Sequence, residues 1–142
     1  MPAHRGGCHC GNLTLVFETA VPPAEMPVRA CQCSFCRKHG VRAIADAGGS
    51  VAITAREPDA LVRYRFGHGE TDFLVCGRCG VYVAAYMEDG ADGGVATVVA
   101  NALDDQAAFV RPAEPVSYDG EAADGRRARR RKNWTPARLV TG

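Results

Sequence analysis

Seven segments of the chain either alternate apolar and polar residues or form short apolar runs, and they are rich in β-branched and aromatic side chains. Glycine, proline and polar clusters separate them, which is typical of short strands joined by turns. The predicted strands are 12–18, 43–47, 50–54, 61–66, 71–75, 81–86 and 95–100. Since almost no long segment has a 3.6-residue apolar period, the pattern predicts an all-β fold with a small α content.

Two short helical segments are predicted between these strands. Ser34 is placed to cap a helical turn that runs to His39, and Gly40 is placed to end it. Residues 103–109 predict one or two further helical turns. After Arg111 the chain is rich in proline and charge, and we expect it to be irregular.

The length of 142 residues predicts a single domain, which we place at residues 1–120, followed by a basic C-terminal tail at 121–142. The net charge is +1, but residues 126–142 contain seven basic residues and no acidic one, so the remainder carries −6. A uniformly basic nucleic-acid-binding surface is therefore excluded. The charge pattern instead indicates a basic tail on an acidic body.

The predicted compartment is the cytoplasm, and no membrane partner is expected. No apolar run approaches the ~18 residues of a membrane span, and no hydrophobic segment precedes Cys8. The chain has seven cysteines, and an odd number without a signal peptide argues against a disulfide framework. Clustered thiols in a reducing compartment indicate metal ligands or catalytic groups.

The seven cysteines fall into three groups: Cys8 and Cys10; Cys31, Cys33 and Cys36; Cys76 and Cys79. The Cys76-x-x-Cys79 pair, followed by a glycine, is typical of a zinc knuckle, which supplies only two of the four ligands of a structural zinc. Cys8 and Cys10 are the natural suppliers of the other two, because flanking glycines let the backbone curl around one ion. We therefore predict one closed, structural zinc site.

Cys31, Cys33 and Cys36 remain, and three protein ligands with one open position are the arrangement of a catalytic zinc. A histidine could still close this second site, the candidates being His4, His9, His39 and His68. A thioredoxin-type redox pair is disfavoured, because both flanks of the Cys76-x-x-Cys79 motif are predicted strands rather than a strand and a long helix.

Three motifs in order carry a family resemblance: Gly7-Cys-x-Cys-Gly11, Cys31-x-Cys-Ser-x-Cys36-Arg-Lys and Phe73-x-x-Cys76-x-x-Cys79-Gly80. They resemble the glutathione-dependent formaldehyde-activating enzyme family, which includes centromere protein V. Asn101-x-Leu-Asp-Asp105 resembles a segment that follows the last core strand in these proteins, so the resemblance extends to about residue 110.

The resemblance implies a β-tent fold, in which several short antiparallel sheets meet around zinc sites. It implies that the four cysteines of the first and third groups hold a structural zinc and the triplet a functional, labile one. The founding enzymes condense formaldehyde with glutathione to S-(hydroxymethyl)glutathione, a carbon–sulfur lyase activity. The implied partners are thus a small thiol and a small aldehyde.

The chemistry of three thiolates agrees with this implication. They leave a zinc ion electron-rich, so its bound water should stay largely protonated and its fourth position should favour a soft ligand. A small thiol, with an ordinary pKa of ~8.5, would be held there as the thiolate that attacks an aldehyde carbon. Arg37 and Lys38 are candidates to bind the thiolates or a substrate carboxylate, and Trp134 to cover a pocket.

Two other classes of function stay open. One is a zinc-stabilised carrier or binding module without catalysis, and the other is nucleic-acid association through the basic run 126–132. The run lacks interleaved aromatic residues and the body is acidic, so the run more simply covers the acidic body or a partner in a homodimer. We expect it to be dispensable for both metal sites.

Overall fold

The predicted strands are present and join into one branched sheet. The computed structural model describes residues 1–90 and 93–141, and the sheet in that part of the chain has eleven strands. They are β1 (Ala3–Gly7), β2 (Leu13–Glu18), β3 (Arg29–Cys31), β4 (Ala43–Ile44), β5 (Ser50–Ala55), β6 (Leu61–Tyr64), β7 (Asp72–Cys76), β8 (Tyr82–Glu88), β9 (Gly94–Val99), β10 (Glu114–Val116) and β11 (Thr135–Thr141).

The strand order along the main path is β1-β2-β5-β11-β9-β4-β3-β10, and β8, β7 and β6 branch from β9. β9 is the branch point because it pairs with β8 on one edge and with β11 and then β4 on the other. Most pairs are antiparallel, whereas β11 runs parallel to β5 and β10 runs parallel to β3. The sheet is therefore mixed, and the expected short antiparallel sheets are joined into one.

The alternation that predicts β2 also decides which of its faces is buried. Leu13, Leu15 and Phe17 are at most 1% exposed, whereas Thr14 and Glu18 point to solvent. Adjacent strands repeat this pattern, and burying one face of each strand creates the apolar core. The all-β prediction with a small helical content is confirmed.

Helical structure is short and lies beside the sheet. The α-helices are α1 (Ser34–His39) and α2 (Ala123–Asn133), and 3-10 turns are formed by Pro23–Glu25, Pro58–Ala60, Ala100–Ala102 and Gln106–Ala108. The helical turns expected within 103–109 are thus confirmed as a 3-10 turn. Within the described residues, no helix combines the length and the apolarity needed to cross a membrane.

The cap of α1 differs by one residue from the prediction. Cys33, not Ser34, is the N-cap, because its sulfur accepts a hydrogen bond from the Cys36 amide. Gly40 ends the helix in the left-handed conformation, as predicted. A cysteine can therefore cap α1 and belong to the metal-binding motif at the same time.

The strand predicted at 43–47 is only two residues long, Ala43–Ile44. The chain turns at Asp46, whose carboxylate accepts hydrogen bonds from the Thr19 hydroxyl at 2.6 Å and from the Gly48 amide at 2.9 Å. The local hydrogen bond from the Gly48 amide favours a turn over continued strand pairing.

The expectation of an irregular chain after Arg111 is wrong. Residues 121–141, expected as a tail, contribute helix α2 and strand β11, and β11 lies inside the sheet between β5 and β9. Trp134 and Thr135, at the junction of the two elements, are 6% and 0% exposed. The sequence pattern did not predict this strand, because a proline inside a central strand, here Pro136, and an arginine run just before it are both unusual.

We predict that deleting residues 121–142 will give an insoluble or unfolded protein. The deletion exposes the facing edges of β5 and β9 and removes the buried Trp134 side chain, whose loss alone costs about 3–5 kcal/mol. Far-UV circular dichroism and urea denaturation of the purified protein measure the effect.

The matched control is Arg131→Gln, which removes an ion pair between an exposed arginine of α2 and Asp89 but keeps β11. It should unfold at nearly the wild-type urea concentration, because exposed pairs contribute about 0–1 kcal/mol each. A truncated chain that folds cooperatively would show that β11 is an accessory strand.

Candidate functional site

Four cysteines from two distant parts of the chain meet in one cluster. Cys8 and Cys10 follow β1, Cys76 ends β7, and Cys79 lies in the turn that leads to β8. Their four sulfur atoms all lie within 4.8 Å of one another. The structure thus brings together the four thiols that the sequence assigns to one site.

The spacing of these sulfurs fits a tetrahedral metal site. The Sγ atoms of Cys8 and Cys10 are 3.7 Å apart, and those of Cys10 and Cys76 are 3.6 Å apart. Four sulfurs at ~2.3 Å from one zinc ion are separated by about 3.8 Å, whereas a disulfide requires ~2.05 Å. The thiols therefore have the separation that a shared ion produces.

Backbone amides point at two of these sulfurs. The Leu13 amide donates to Cys8 Sγ at 3.2 Å, and the amides of Arg78 and Cys79 donate to Cys76 Sγ at 3.4 and 3.5 Å. Such amides stabilise negative charge on sulfur, which a metal-bound thiolate carries. This polar shell fits a metal ion better than four neutral thiols.

Two glycines allow the backbone to take this shape. Gly80 has a φ of +80°, which lets its amide return to the Cys76 carbonyl at 2.9 Å and close the knuckle. At Gly7 a Cβ atom would lie 2.0 Å from the Leu13 carbonyl oxygen, so only glycine fits before Cys8.

The other three cysteines form a second cluster. Cys31 ends β3, Cys33 caps α1 and Cys36 lies within α1, and their sulfurs lie within 4.8 Å of one another. Within residues 1–90 and 93–141 no histidine, aspartate or glutamate joins this cluster. It offers three thiol ligands to a metal, and the donor set is soft.

The four histidines considered as a further ligand have other surroundings. His4 lies 2.7 Å from the Asp105 carboxylate and is buried against Phe109. The ring of His39 packs on aromatic rings beside α1, the Nε2 of His68 lies 3.2 Å from a backbone carbonyl, and His9 is exposed. The structure does not bring any of them to the three-cysteine cluster.

Aromatic packing holds the short helix α1 in place. The Phe35 ring contacts Phe73 and Tyr82, each at 5.0 Å between centroids and nearly edge-to-face, and it also contacts Tyr64 and Phe66. A six-residue helix is not stable alone, so this packing fixes its position. It therefore sets where Cys36 lies relative to Cys31.

The three thiols share their protons unequally. The Cys36 thiol donates a hydrogen bond to the Cys31 sulfur, and this lowers the pKa of Cys31 to about 5. The positive charge of Arg129 lowers the same pKa by a smaller amount. The same interaction, together with burial, raises the pKa of Cys36 far above its usual value. Cys31 is thus a thiolate at neutral pH, ready to bind a soft cation.

A cavity of about 270 Å³ lies beside this cluster, and all three cysteines line it. Its apolar wall includes the rings of Phe66, Phe73 and Trp134, and its polar wall includes Arg29, Arg126, Arg129 and Arg130. Cavities that bind small molecules combine an apolar lining with a few polar groups in this way. The four-cysteine cluster contributes no residue to this cavity.

The cationic residues of the cavity differ from those predicted. Arg37 and Lys38 are exposed and do not line it, whereas three arginines of α2 do. Sequence reasoning noticed the run 126–132 but assigned it to the tail, since no motif connects it with the cysteines. Trp134 does border the cavity.

Most arginines of α2 form ion pairs with carboxylates. Arg126 and Arg129 both contact Glu121, Arg127 contacts Glu70 and Asp124, and Arg131 contacts Asp89. The pairs of Arg127 with Glu70 and of Arg131 with Asp89 agree with the interpretation that the basic run covers the acidic body.

Two further side chains that line the cavity, Tyr82 and Arg130, have shifted pKa values. Burial raises the pKa of the Tyr82 phenol well above its usual value, and the negative thiol cluster raises it further, so the hydroxyl stays protonated. Burial and the neighbouring Arg129 and Arg126 lower the pKa of Arg130 to about 10, which leaves it charged at neutral pH.

Comparisons with known proteins agree with the cysteine motifs. A crystal structure of a Rhodobacter sphaeroides protein, a structural genomics target, is 26% identical and superposes with a TM-score of 0.56. The match covers 78% of this chain and 97% of that one. No curated protein matches the chain. The family model for the glutathione-dependent formaldehyde-activating enzyme matches residues 3–118. The chain therefore belongs to the glutathione-dependent formaldehyde-activating enzyme family.

Proposed function

We propose that this protein is a zinc-dependent, carbon–sulfur lyase-type enzyme that adds a small, glutathione-like thiol to a small aldehyde. The reaction takes place in the cavity beside Cys31, Cys33 and Cys36. A structural zinc is held by Cys8, Cys10, Cys76 and Cys79. Cytoplasmic location and formaldehyde as the aldehyde remain the expectations that the sequence and the family suggest.

One observation carries the proposal, namely the different surroundings of the two clusters. Four thiols surround one point outside the cavity, whereas three thiols line a cavity that also contains a phenol and several guanidinium groups. Four protein ligands are typical of structural zinc, and three are typical of a zinc that binds a further ligand. When bound to the triplet, zinc supplies a soft position that keeps an incoming thiol ionised.

The side chains of the cavity support the remaining steps of the addition. The thiol sulfur forms a bond to the carbonyl carbon, and the C=O π electron pair moves to the oxygen. The oxygen then takes a proton from the Tyr82 hydroxyl, and the proton lost by the thiol restores the phenol. The product is a hemithioacetal, and no oxidant or reductant is needed. The buried phenol suits this role because it is protonated at neutral pH.

A carrier or binding module is the second candidate. Such a protein would bind a thiol in the same cavity but would not accelerate its addition to an aldehyde. The enzymatic proposal is favoured by the protonated Tyr82 hydroxyl at the cavity wall, which a carrier does not need.

Metal content should separate the two clusters. Cys76→Ser should give insoluble or unfolded protein, because a structural zinc contributes about 10–16 kcal/mol of apparent binding energy, comparable with the whole stability of a domain. Cys33→Ser should lower bound zinc by about one ion per chain with a small change in melting temperature, because its cluster is local in sequence. Elemental analysis and calorimetry measure both.

Two results would contradict this division of roles. A soluble Cys76→Ser protein with unchanged zinc content would remove the structural site. A Cys33→Ser protein that unfolds as completely as Cys76→Ser would make the triplet structural.

Enzymatic activity can be tested by NMR exchange between ¹³C-formaldehyde and glutathione. The uncatalysed addition is already appreciable, so the relevant quantity is the rate added by the protein. Wild type should accelerate exchange and Cys33→Ser should not. The matched control is Ser34→Ala, a change at the next residue that leaves the three thiols in place. Equal rates for wild type and Cys33→Ser would favour a carrier.

The Tyr82→Phe variant tests the proton donor. It keeps the ring packed on Phe35 but removes the hydroxyl, so the added exchange rate should fall by about 10²-fold while zinc content is unchanged. Tyr64→Phe is the control, because Tyr64 also packs on Phe35 but is exposed and does not line the cavity. An unchanged rate in Tyr82→Phe would exclude the phenol as the donor.

A further inference from the structure

Arg130 is a buried cation that forms no ion pair in the part of the chain that the structure describes. The side chain is only 9% exposed, and no carboxylate lies within 4.0 Å of its guanidinium in residues 1–90 and 93–141. Its Nη1 donates to the Thr71 hydroxyl and its plane lies 4.9 Å over the Trp134 ring, but its Nε is buried without an acceptor. Buried charges in proteins are normally paired, so this one requires an explanation.

The neighbouring residues increase the need for an anion. Arg129 and Arg126 repel the Arg130 charge more strongly than Glu121 and Glu70 attract it. Both repelling arginines already donate to the Glu121 carboxylate. The cavity is lined by four arginines, the three of α2 and Arg29, and by one carboxylate, that of Asp119, which forms no ion pair with them in the described residues.

The thiol cluster does not account for this charge. Arg129 is the arginine whose charge acts on Cys31, and Arg129 also lies 3.5 Å over the Tyr118 ring. Arg130 is instead directed to Thr71 and Trp134. It lines the cavity together with the three cysteines, so a ligand there can reach both.

We propose that Arg130 binds a carboxylate of the cavity's ligand, so that the protein selects thiols that carry a carboxylate. The thiol part of this statement rests on the proposed function. A carboxylate is planar and matches the edge of a guanidinium, from which its two oxygens can accept two parallel hydrogen bonds. A monoanion is also repelled less by nearby thiolates than a dianionic phosphate would be.

The size of the ligand follows from the cavity. Its volume of about 270 Å³ lies just below the range of ~300–1,000 Å³ that is usual for drug-sized ligands. A small thiol acid fits this space. Arg130 belongs to α2, which lies beyond the residues that the family model matches.

The test compares a thiol acid with its neutral amide. Binding of 3-mercaptopropionate and of 3-mercaptopropanamide to the zinc-loaded full chain is measured by isothermal titration calorimetry under anaerobic conditions. Wild type should bind the acid at least ~10-fold more tightly than the amide, because hydrogen bonds to charged groups have about this effect. A ratio near one in the wild type would overturn the proposal.

The variants assign the preference to one side chain. Arg130→Met should bring the ratio close to one, whereas Arg131→Gln, an exposed neighbour on the same helix that does not line the cavity, should keep the wild-type ratio. Arg130→Lys keeps the charge but loses the two-donor edge, so it should give a ratio between these values even if Arg130→Met does not fold. A wild-type ratio in either Arg130 variant would contradict the assignment.

Cys33→Ser separates this proposal from the proposed function. If thiols bind at the triplet, both ligands should bind more weakly to Cys33→Ser by the same factor, and their ratio should stay as in the wild type. If Cys33→Ser changes neither affinity, thiol binding at the triplet fails, while dependence of the ratio on Arg130 still supports a carboxylate site.

Discussion

The meeting of Cys8 and Cys10 with Cys76 and Cys79 is the constraint on which the rest of the structure depends. β1 lies at one end of the sheet's main path, and β7 lies in the branch that leaves β9. The sequence of strands from β1 through β2, β5, β11, β9 and β8 to β7 is therefore closed by sulfur atoms rather than by backbone pairing. A shared metal ion would hold these two ends together, and without it the thiol of Cys10 would face those of Cys8 and Cys76 at 3.6–3.7 Å.

The second cluster uses the same chemistry in different surroundings. Cys31, Cys33 and Cys36 are close in sequence, so they close no long loop, and the packing of Phe35 positions the helix that carries the last of them. The cavity beside them is completed by α2, which contributes three arginines to the cavity wall and pairs Arg127 and Arg131 with carboxylates of the body. The C-terminal segment thus has two roles: β11 is part of the sheet, and α2 supplies charge to the site.

The sequence predicted that the cysteines form two clusters, and it predicted most central strands, because alternation and ligand spacing are local signals. It did not predict β11, since Pro136 and the preceding arginines are unusual beside a central strand, and its burial depends on parallel pairing with β5. The sequence also indicated Arg37 and Lys38 as candidate cations of the site, but neither residue lines the cavity. Three of the four arginines that line the cavity lie about ninety residues later in the chain, and only the packing of α2 brings them there.

Anomalous diffraction at the zinc absorption edge, from crystals of the protein purified with zinc, tests the central claim most directly. The account predicts two peaks. One should lie at ~2.3 Å from the four sulfurs of Cys8, Cys10, Cys76 and Cys79, and the other at ~2.3 Å from Cys31, Cys33 and Cys36, with its fourth position open to the cavity. A single peak, or a second peak whose fourth ligand is another protein side chain, would contradict the account.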